Sequence, residues 1–484
     1  MSTNKTESGP STPVSVASTG ADSPSPKPAM HAQIEGNDVE LTYAAAKSGG
    51  ANKGGEYTGI YVYSGTTQKA LVKSEATREQ PQNIAKDMAE FLASKIFEET
   101  APENSARVVI ARMHDERHQP TGDPYIASIF IPGYEDLSRN VQQSGALKKD
   151  GRTFAAGTVN AITGFMRKTM LNDDGTPKYT GFPETMATSL LIGDFDVHTG
   201  NIGIKDKRQL VRIDYAAAFE KLEDEIHPNS RRRHPVGLGP TNHFREYPRS
   251  LRISPEFAEH AFAVAERDLG PKVDEAFREL SEHYEYKDLV TFGERLGMKM
   301  QEERATVENQ QEAYPNTANL RGKRRDLSGK ITTHLKDTLK KRQESLKQYA
   351  VEISIDLCFD AKGQFRNVQK ADKTVVTGQE HFAELMQNHR KYFEEVAAGT
   401  KKLHFRDNIH KTKFFSFLNW TGLTKEARMK KAVTAKIRES LTVSQTPKHK
   451  PGEITNPLSA PVRDWVTGKS PGQSKKGTSG HSIG

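Results

Sequence analysis

A short apolar stretch of the chain, LLIGDFDVHTGNIGI, contains two aspartates, a histidine and an asparagine. A polar group buried in an apolar core costs on the order of a few kcal/mol unless it finds a partner, so a stretch that only packs should stay apolar. Asp196, His198 and Asn201 stand at positions i, i+2 and i+5 of this stretch, and Asp214 follows the apolar segment LVRI. The charged and polar residues therefore need an explanation other than core packing.

These residue types meet the needs of phosphoryl transfer from a nucleotide. That reaction uses a carboxylate or an imidazole to accept the proton of the acceptor hydroxyl, and oxygen ligands to hold Mg²⁺ on the phosphates. Aspartate and asparagine oxygens are hard ligands that suit this metal. A capped loop would use the same residues differently, with Asp and Asn accepting backbone N–H bonds and His198 packed in the core.

The residues before this stretch predict a small sheet with one helix. The segments VELTYAAA, EYTGIYVYSG and QKALVKSE are typical of short strands separated by glycine-rich turns. The next segment, NIAKDMAEFLASKIFEE, has apolar residues at helical spacing, and ARVVIARM and DPYIASIFIPGY add two strands. We expect a small antiparallel-sheet lobe over residues 36–140.

The chain then changes from strands to helices. GTVNAITGFMRKTML and ETMATSLLIG have helical spacing and lead into the polar stretch, QLVRIDYAAAF resembles a buried strand, and two amphipathic helices follow. We expect a mainly helical lobe over residues 141–300. The predicted fold class is therefore α+β, with a sheet lobe that precedes a helical lobe.

Residues 301–442 form a separate, mostly helical accessory domain in this interpretation. A long basic helix, GKITTHLKDTLKKRQESLKQY, is followed by VEISIDLCFD, whose period-two alternation predicts a strand, and then by further helices. The tails at 1–35 and 443–484 are rich in Ser, Thr, Pro and Gly, and the second also contains many lysines. Both tails are typical of disordered chain.

The net charge and the cysteine content limit the classes of protein and of partner that agree with this sequence. The 484 residues carry a formal net charge of +8, which favours anionic partners such as nucleic acid, phosphorylated ligands or an acidic lipid surface. The single Cys358 excludes a disulfide framework and a cysteine-based metal site. The sequence has no apolar run that could cross a bilayer, and its first residues lack the apolar core of a Sec signal.

The motif D-x-H-x-x-N followed by I-D resembles the catalytic loop and metal-binding motif of the phosphoinositide 3- and 4-kinase family, which usually have D-R-H-x-x-N and I-D-F-G. It is most similar to the lipid kinases that intracellular bacteria such as Legionella secrete into host cells. This resemblance implies a bilobal kinase-like fold, with Asp196 and His198 in the catalytic loop. It also implies MgATP as the phosphoryl donor, with the metal, or Mn²⁺ in its place, on Asn201 and Asp214. Val197 replaces the arginine of the family, and DYA replaces D-F-G, so the glycine hinge is missing.

A second resemblance lies in the sheet lobe. ALVK is similar to the V-A-I-K pattern on the third strand of kinases, which implies that Lys73 holds the α- and β-phosphates of ATP. A carboxylate on the following helix should orient this lysine. Glu90 is our first candidate and Asp87, on the same polar face, is the second. An ordinary lysine at a strand end would match the pattern equally well.

The acceptor is predicted from a basic stretch downstream of Asp214. Arginine side chains match the geometry of phosphate, and a phosphorylated inositol headgroup on an acidic membrane suits a cluster of them. A solvated basic loop would have the same composition. The candidate substrate-binding residues are Arg231, Arg232, Arg233 and Arg245.

The leading hypothesis is an ATP- and Mg-dependent phosphoinositide kinase that acts on phosphatidylinositol or its phosphates at an acidic membrane surface. We expect a protein translocated into a host cell without a Sec signal and present in its cytosol and on its membranes. A host protein would be a further partner of the accessory domain, and no nucleic acid is expected. A HipA-like protein kinase of the same fold is the first alternative, and a non-enzymatic basic scaffold that binds membranes or RNA is the second. The joint presence of Lys73, Asp196, Asn201 and Asp214 argues against the scaffold.

Overall fold

The computed structural model describes residues 30–46, 56–77, 80–115, 119, 122, 124–137, 166–194, 196–220, 222, 226, 247–311, 317–360, 362–403 and 425–445. Within these residues the protein is a mixed α/β structure, with strands first and helices dominating after residue 137. Most of both predicted tails lies outside the described residues.

Six antiparallel strands close into a barrel with the neighbour order β1-β2-β3-β4-β6-β5, in which β5 pairs back with β1. Alternate residues point inward, and alanines at Ala32, Ala70, Ala111 and Ala127 leave room there for the Tyr61 ring. A closed sheet of six strands has a narrow interior, so small inward residues are needed beside an aromatic ring. The strands are β1 (Met30–Ile34), β2 (Asn37–Ala45), β3 (Gly59–Tyr63), β4 (Lys69–Lys73), β5 (Val108–Met113) and β6 (Tyr125–Ile129).

A single helix, α1 (Ile84–Thr100), connects β4 to β5 and packs against β5 on one side and against later helices on the other. Its apolar residues Met88, Phe91, Leu92 and Ile96 are fully buried, as their helical spacing predicts. Because α1 has neighbours on both sides, its polar face is buried as well. This is why the carboxylates of Asp87 and Glu90 on α1 lie away from water.

The polar stretch lies between α2 (Phe182–Leu191) and a second small sheet. That sheet has the order β7-β8-β9, formed by β7 (Tyr134–Asp136), β8 (Ile202–Lys205) and β9 (Gln209–Arg212). Gly203 allows β7 to come close, since a Cβ atom there would lie 1.8 Å from the ring of Tyr134. The loop between α2 and β8 and the end of β9 are thus held side by side.

Helices α3 (Arg249–Arg252), α4 (Pro255–Glu266), α5 (Gly270–His283), α6 (Tyr286–Arg295) and α7 (Gln301–Gln311) follow, and then the long α8 (Thr317–Cys358). The apolar residues of α8 share one hydrophobic core with α1, α2 and α4; they include Leu327, Ile331, Leu335, Leu339 and Leu346. The division predicted near residue 300 therefore passes through a single packed core.

The strand predicted at VEISIDLCFD is wrong, because these residues down to Cys358 are the last two turns of α8. This end of the helix lies between two cores, with Ile353 in the first and Ile355 in the second. The intervening acids have partners, since Glu352 accepts a 3.0 Å hydrogen bond from Tyr392 and Asp356 pairs with Arg249. The apolar residues alternate along this segment because two opposite faces of α8 are buried, one in each core.

The second core belongs to a C-terminal module, which packs on the end of α8. It contains Phe359, Phe382 and Phe393, whose rings meet edge to face or nearly so. Its elements are β10 (Val368–Gln369), β11 (Val375–Val376), α9 (Gly378–Asn388), α10 (Arg390–Ala398) and α11 (Lys425–Gln445). Among the helices that the structure describes, none has the length and apolarity that crossing a membrane would require.

Candidate active site

Lys73, at the last position of β4, points to the carboxylate of Glu90 on α1. The Lys73 Nζ and a Glu90 carboxylate oxygen are 2.7 Å apart, and the two residues are 3% and 1% exposed. On its other side the same ammonium lies 3.4 Å from the carboxylate of Asp214. The structure thus brings together three predicted site residues that come from separate parts of the chain.

This arrangement keeps Lys73 charged. Burial alone would lower the pKa of the lysine, but the carboxylates of Glu90 and Asp214 outweigh it and hold the pKa above its ordinary value. Burial raises the pKa of Glu90, and the neighbouring ammonium opposes that rise. Because two carboxylates lie beside one ammonium, a phosphate group would bind here together with a metal cation that offsets their charge.

Asp87, the second candidate partner of Lys73, fixes the chain next to the lysine. It accepts a 2.7 Å hydrogen bond from the Ser74 hydroxyl and a 2.9 Å hydrogen bond from the backbone N–H of Glu75. Asp87 thereby ties α1 to the two residues that follow Lys73. Burial raises its pKa to about 8, since these hydrogen bonds offset only part of the loss of water.

Asp87→Asn is expected to flatten the dependence of stability on pH between about pH 4 and about pH 8. The folded protein holds a proton on Asp87 that the unfolded chain releases in this range. The free energy of unfolding therefore falls as pH rises, by up to about 1.4 kcal/mol per pH unit. The substituted side chain would keep an acceptor for the Glu75 N–H and has no such proton. Urea unfolding of both proteins across this range measures the effect, and parallel pH profiles would contradict it.

The loop after α2 presents Asp196 and His198 toward solvent and buries Val197 between them. The two polar side chains are 42% and 40% exposed, whereas Val197 is 1% exposed and its carbonyl accepts a 2.8 Å hydrogen bond from the hydroxyl of Tyr247. The valine that replaces the arginine of the resembled motif therefore anchors the loop in the core. This alternation leaves both candidate catalytic side chains accessible to an acceptor.

Asn201 closes the loop onto Asp196. Its amide nitrogen donates to the Asp196 carboxylate at 3.2 Å and to the Asp196 carbonyl at 3.1 Å. The His198 Nδ1 accepts the Gly200 N–H at 2.9 Å, which assigns the proton of a neutral ring to Nε2, 3.7 Å from Asp196. The Asn201 side-chain oxygen is directed away from Asp196 and is a suitable metal ligand.

Asp214 has a left-handed backbone conformation, with φ of 56°. Few residues other than glycine adopt it, and such strain concentrates at functional sites. The next residue, Tyr215, is fully buried against Phe97 of α1, with ring centroids 5.0 Å apart. Packing of Tyr215 fixes the backbone after Asp214, at the position where the resembled motif has phenylalanine.

The set of oxygen donors fits Mg²⁺ better than a metal that needs a cage of protein ligands. No group of three or more His, Cys, Asp or Glu residues within the described part of the chain could hold a metal. Mg²⁺ is usually bound by one or two carboxylates together with substrate phosphates. One carboxylate at Asp214 and one amide oxygen at Asn201 agree with that pattern.

Arg212 and Asp194 are site residues that the sequence analysis missed. They form a fully buried ion pair of 2.5 Å between β9 and the loop. The signal was present, since LVRI has one arginine among apolar residues and the polar stretch has one aspartate more than the motif uses. The predicted substrate-binding residues Arg231, Arg232, Arg233 and Arg245 lie outside the described residues.

Comparisons with known proteins give one family match. The family model of the LepB N-terminal domain matches residues 156–351, which include the loop, Asp214 and the first part of α8. No curated protein matches the chain.

Two solved structures are weakly similar. The proinflammatory kinase CtkA of Helicobacter pylori is 11% identical with a TM-score of 0.36, over 64% of this chain and 96% of that one. The N-terminal 618-residue fragment of LepB from Legionella pneumophila is 11% identical with a TM-score of 0.33, over 70% of this chain and 58% of the fragment. Residues 156–351 of this chain are thus similar to the LepB N-terminal domain.

Proposed function

We propose that this protein is an ATP- and Mg²⁺-dependent phosphotransferase of bilobal kinase-like architecture, and that its acceptor is the inositol headgroup of a membrane phosphoinositide. The observation that carries the proposal is the buried Lys73–Glu90 pair facing Asp214. A lysine oriented by a helix carboxylate and a nearby metal-binding aspartate are the parts that kinases use to hold nucleotide phosphates.

The chain's own groups have separate tasks in this reaction. Lys73 holds the α- and β-phosphates, and Asn201 and Asp214 would hold the metal, which when bound neutralises charge on the phosphates. The Asp196 carboxylate accepts the proton of the acceptor hydroxyl, with His198 beside it. The acceptor oxygen forms a bond to the γ-phosphorus as the bond to the β–γ bridging oxygen breaks, and ADP leaves.

The lipid acceptor is proposed from the motif and from charge. D-x-H-x-x-N followed by I-D resembles phosphoinositide kinases, and the arginines at 231–233 and 245 would meet an anionic headgroup at the membrane. The match to the LepB N-terminal domain supports a bacterial effector delivered into a host cell. A host protein that binds the C-terminal module is part of the same proposal.

Incubation of the full chain with γ-labelled ATP, Mg²⁺ and vesicles that contain inositol lipids is expected to transfer label to lipid. Vesicles of phosphatidylcholine and phosphatidylserine alone are the control for acidic charge without an inositol hydroxyl. Chelation of Mg²⁺ should stop the transfer. Label found only on polypeptide would favour the HipA-like protein kinase, and no label on lipid or protein would contradict the phosphotransferase.

A further inference from the structure

We propose that Arg212 and Asp194 are positioning residues that hold the loop and the end of β9 in register, so that Asp196 and Asp214 face the same reacting centre. Their role in the reaction rests on the phosphotransferase proposed above. Neither side chain faces solvent, since both are 0% exposed, so neither can touch a substrate.

One guanidinium group joins three segments of the site. Arg212 donates to the Asp194 carboxylate at 2.5 Å and to the Asn201 carbonyl at 2.8 Å. It also donates to the carbonyl of Ile213, immediately before Asp214. The beginning of the loop, its end and the end of β9 therefore share a single donor group.

The backbone of Asp196 is held on both sides by the same pair. The Asp194 carboxylate accepts the Asp196 N–H at 3.1 Å, and Arg212 donates to the Asp196 carbonyl at 3.3 Å. Neither contact uses the Asp196 carboxylate, which accepts a hydrogen bond from the Asn201 amide instead. The pair thus sets the position of this carboxylate without taking part in its chemistry.

Core packing alone does not account for the pair. Burying two charges is costly, and apolar residues of similar size often replace such pairs without loss of stability. Among the residues that the structure describes, every hydrogen bond that the Arg212 guanidinium donates goes to Asp194 or to a carbonyl of the loop or of residue 213. The hydrogen bonds of Arg212 therefore lie at the residues that the proposed reaction must hold in fixed positions relative to one another.

Arg212→Lys separates positioning from packing, because lysine keeps the positive charge beside Asp194. One ammonium group cannot take the places of both guanidinium nitrogens, so it cannot bind the Asp194 carboxylate and the Asn201 and Ile213 carbonyls at the same time. We expect kcat to fall by about ten- to a hundredfold, since small misplacements of reacting groups cost this much. The KM for ATP should change less than kcat does, because Lys73 and Glu90 lie on other elements and only the metal ligands Asn201 and Asp214 lie beside the carbonyls that Arg212 holds.

Hydrogen–deuterium exchange gives a measurement that does not require activity. In Arg212→Lys, the amides of residues 196–201 and 213–216 should exchange faster, while those of α5 and α6 should not change. The control is Arg112→Lys, since Arg112 also donates to backbone carbonyls, those of Glu282 and His283, but lies on β5 away from the loop. It should alter neither the exchange of the loop nor kcat.

The outcomes separate the two proposals. Faster loop exchange with a kcat that falls more than the KM for ATP changes would support positioning. Unchanged loop exchange, or a loss of kcat equal to that of Arg112→Lys, would overturn it. A wild-type protein that transfers phosphate to no acceptor, combined with faster loop exchange in Arg212→Lys, would overturn the phosphotransferase and still support the holding role.

Discussion

Asp214→Asn is expected to lower the rate of phosphoryl transfer by about a hundred- to a thousandfold without unfolding the protein. The substitution removes a charge that faces Lys73 at 3.4 Å and replaces a candidate carboxylate ligand of Mg²⁺ by a neutral amide, which binds the ion more weakly. Asparagine tolerates the left-handed backbone at this position, whereas alanine would add strain. The side chain is 43% exposed, so the core is not disturbed.

The measurement is the initial rate of labelled lipid formation at saturating ATP and Mg²⁺, alongside a thermal melt. Asp174→Asn is the matched control, because Asp174 is an exposed aspartate that accepts hydrogen bonds from Thr176 in a surface turn. The control should be fully active. A well-folded Asp214→Asn protein with the wild-type rate would refute the proposed metal site at Asp214.

A chain that ends after residue 311 is expected not to fold. Without α8, the first core loses the five buried apolar side chains from Leu327 to Leu346 that belong to it. Exposing a leucine or isoleucine costs about 1.5–3 kcal/mol, so the combined loss is comparable with the whole stability of a typical domain. Circular dichroism melts and size-exclusion chromatography would test this, and a soluble, cooperatively melting chain would contradict it.

A chain that ends after residue 403 is the control for this truncation. It keeps all of α8 and loses α11, whose buried residues Met429, Val433 and Ile437 lie only in the second core. The first core and the candidate site should therefore stay folded. Equal loss of folding in both chains would mean that the two cores fold as one unit.

The sequence predicted those helices and strands whose spacing of apolar residues reflects burial against a single core. Helix α1 extends from residue 84 to 100 where apolar periodicity placed it, and β4 ends at Lys73 within QKALVKSE. The same periodicity could not choose between Asp87 and Glu90, because both lie on one face of α1. Only the position of β4 against the helix shows that Glu90 meets the lysine and that Asp87 binds the turn after it.

Features that depend on distant parts of the chain could not be read from local pattern. The residues after 350 alternate as a strand does, but they lie between two cores that are formed by other elements. The leucine spacing of α8 predicts a helix but does not show which helices it packs against, so the sequence alone favours a separate domain. Arg212 appeared as one basic residue in a strand, and its role depends on the fold of a loop eleven residues earlier.

Helix α8 also limits how the length of this chain can change during evolution. Arg342 on α8 donates to the carbonyls of Leu190 and Leu191, where the chain enters the loop, and the far end of the helix is buried in the second core. One residue inserted between these points would turn one end relative to the other by about 100°, because a helix has 3.6 residues per turn. Insertions and deletions in related proteins should therefore avoid residues 343–355.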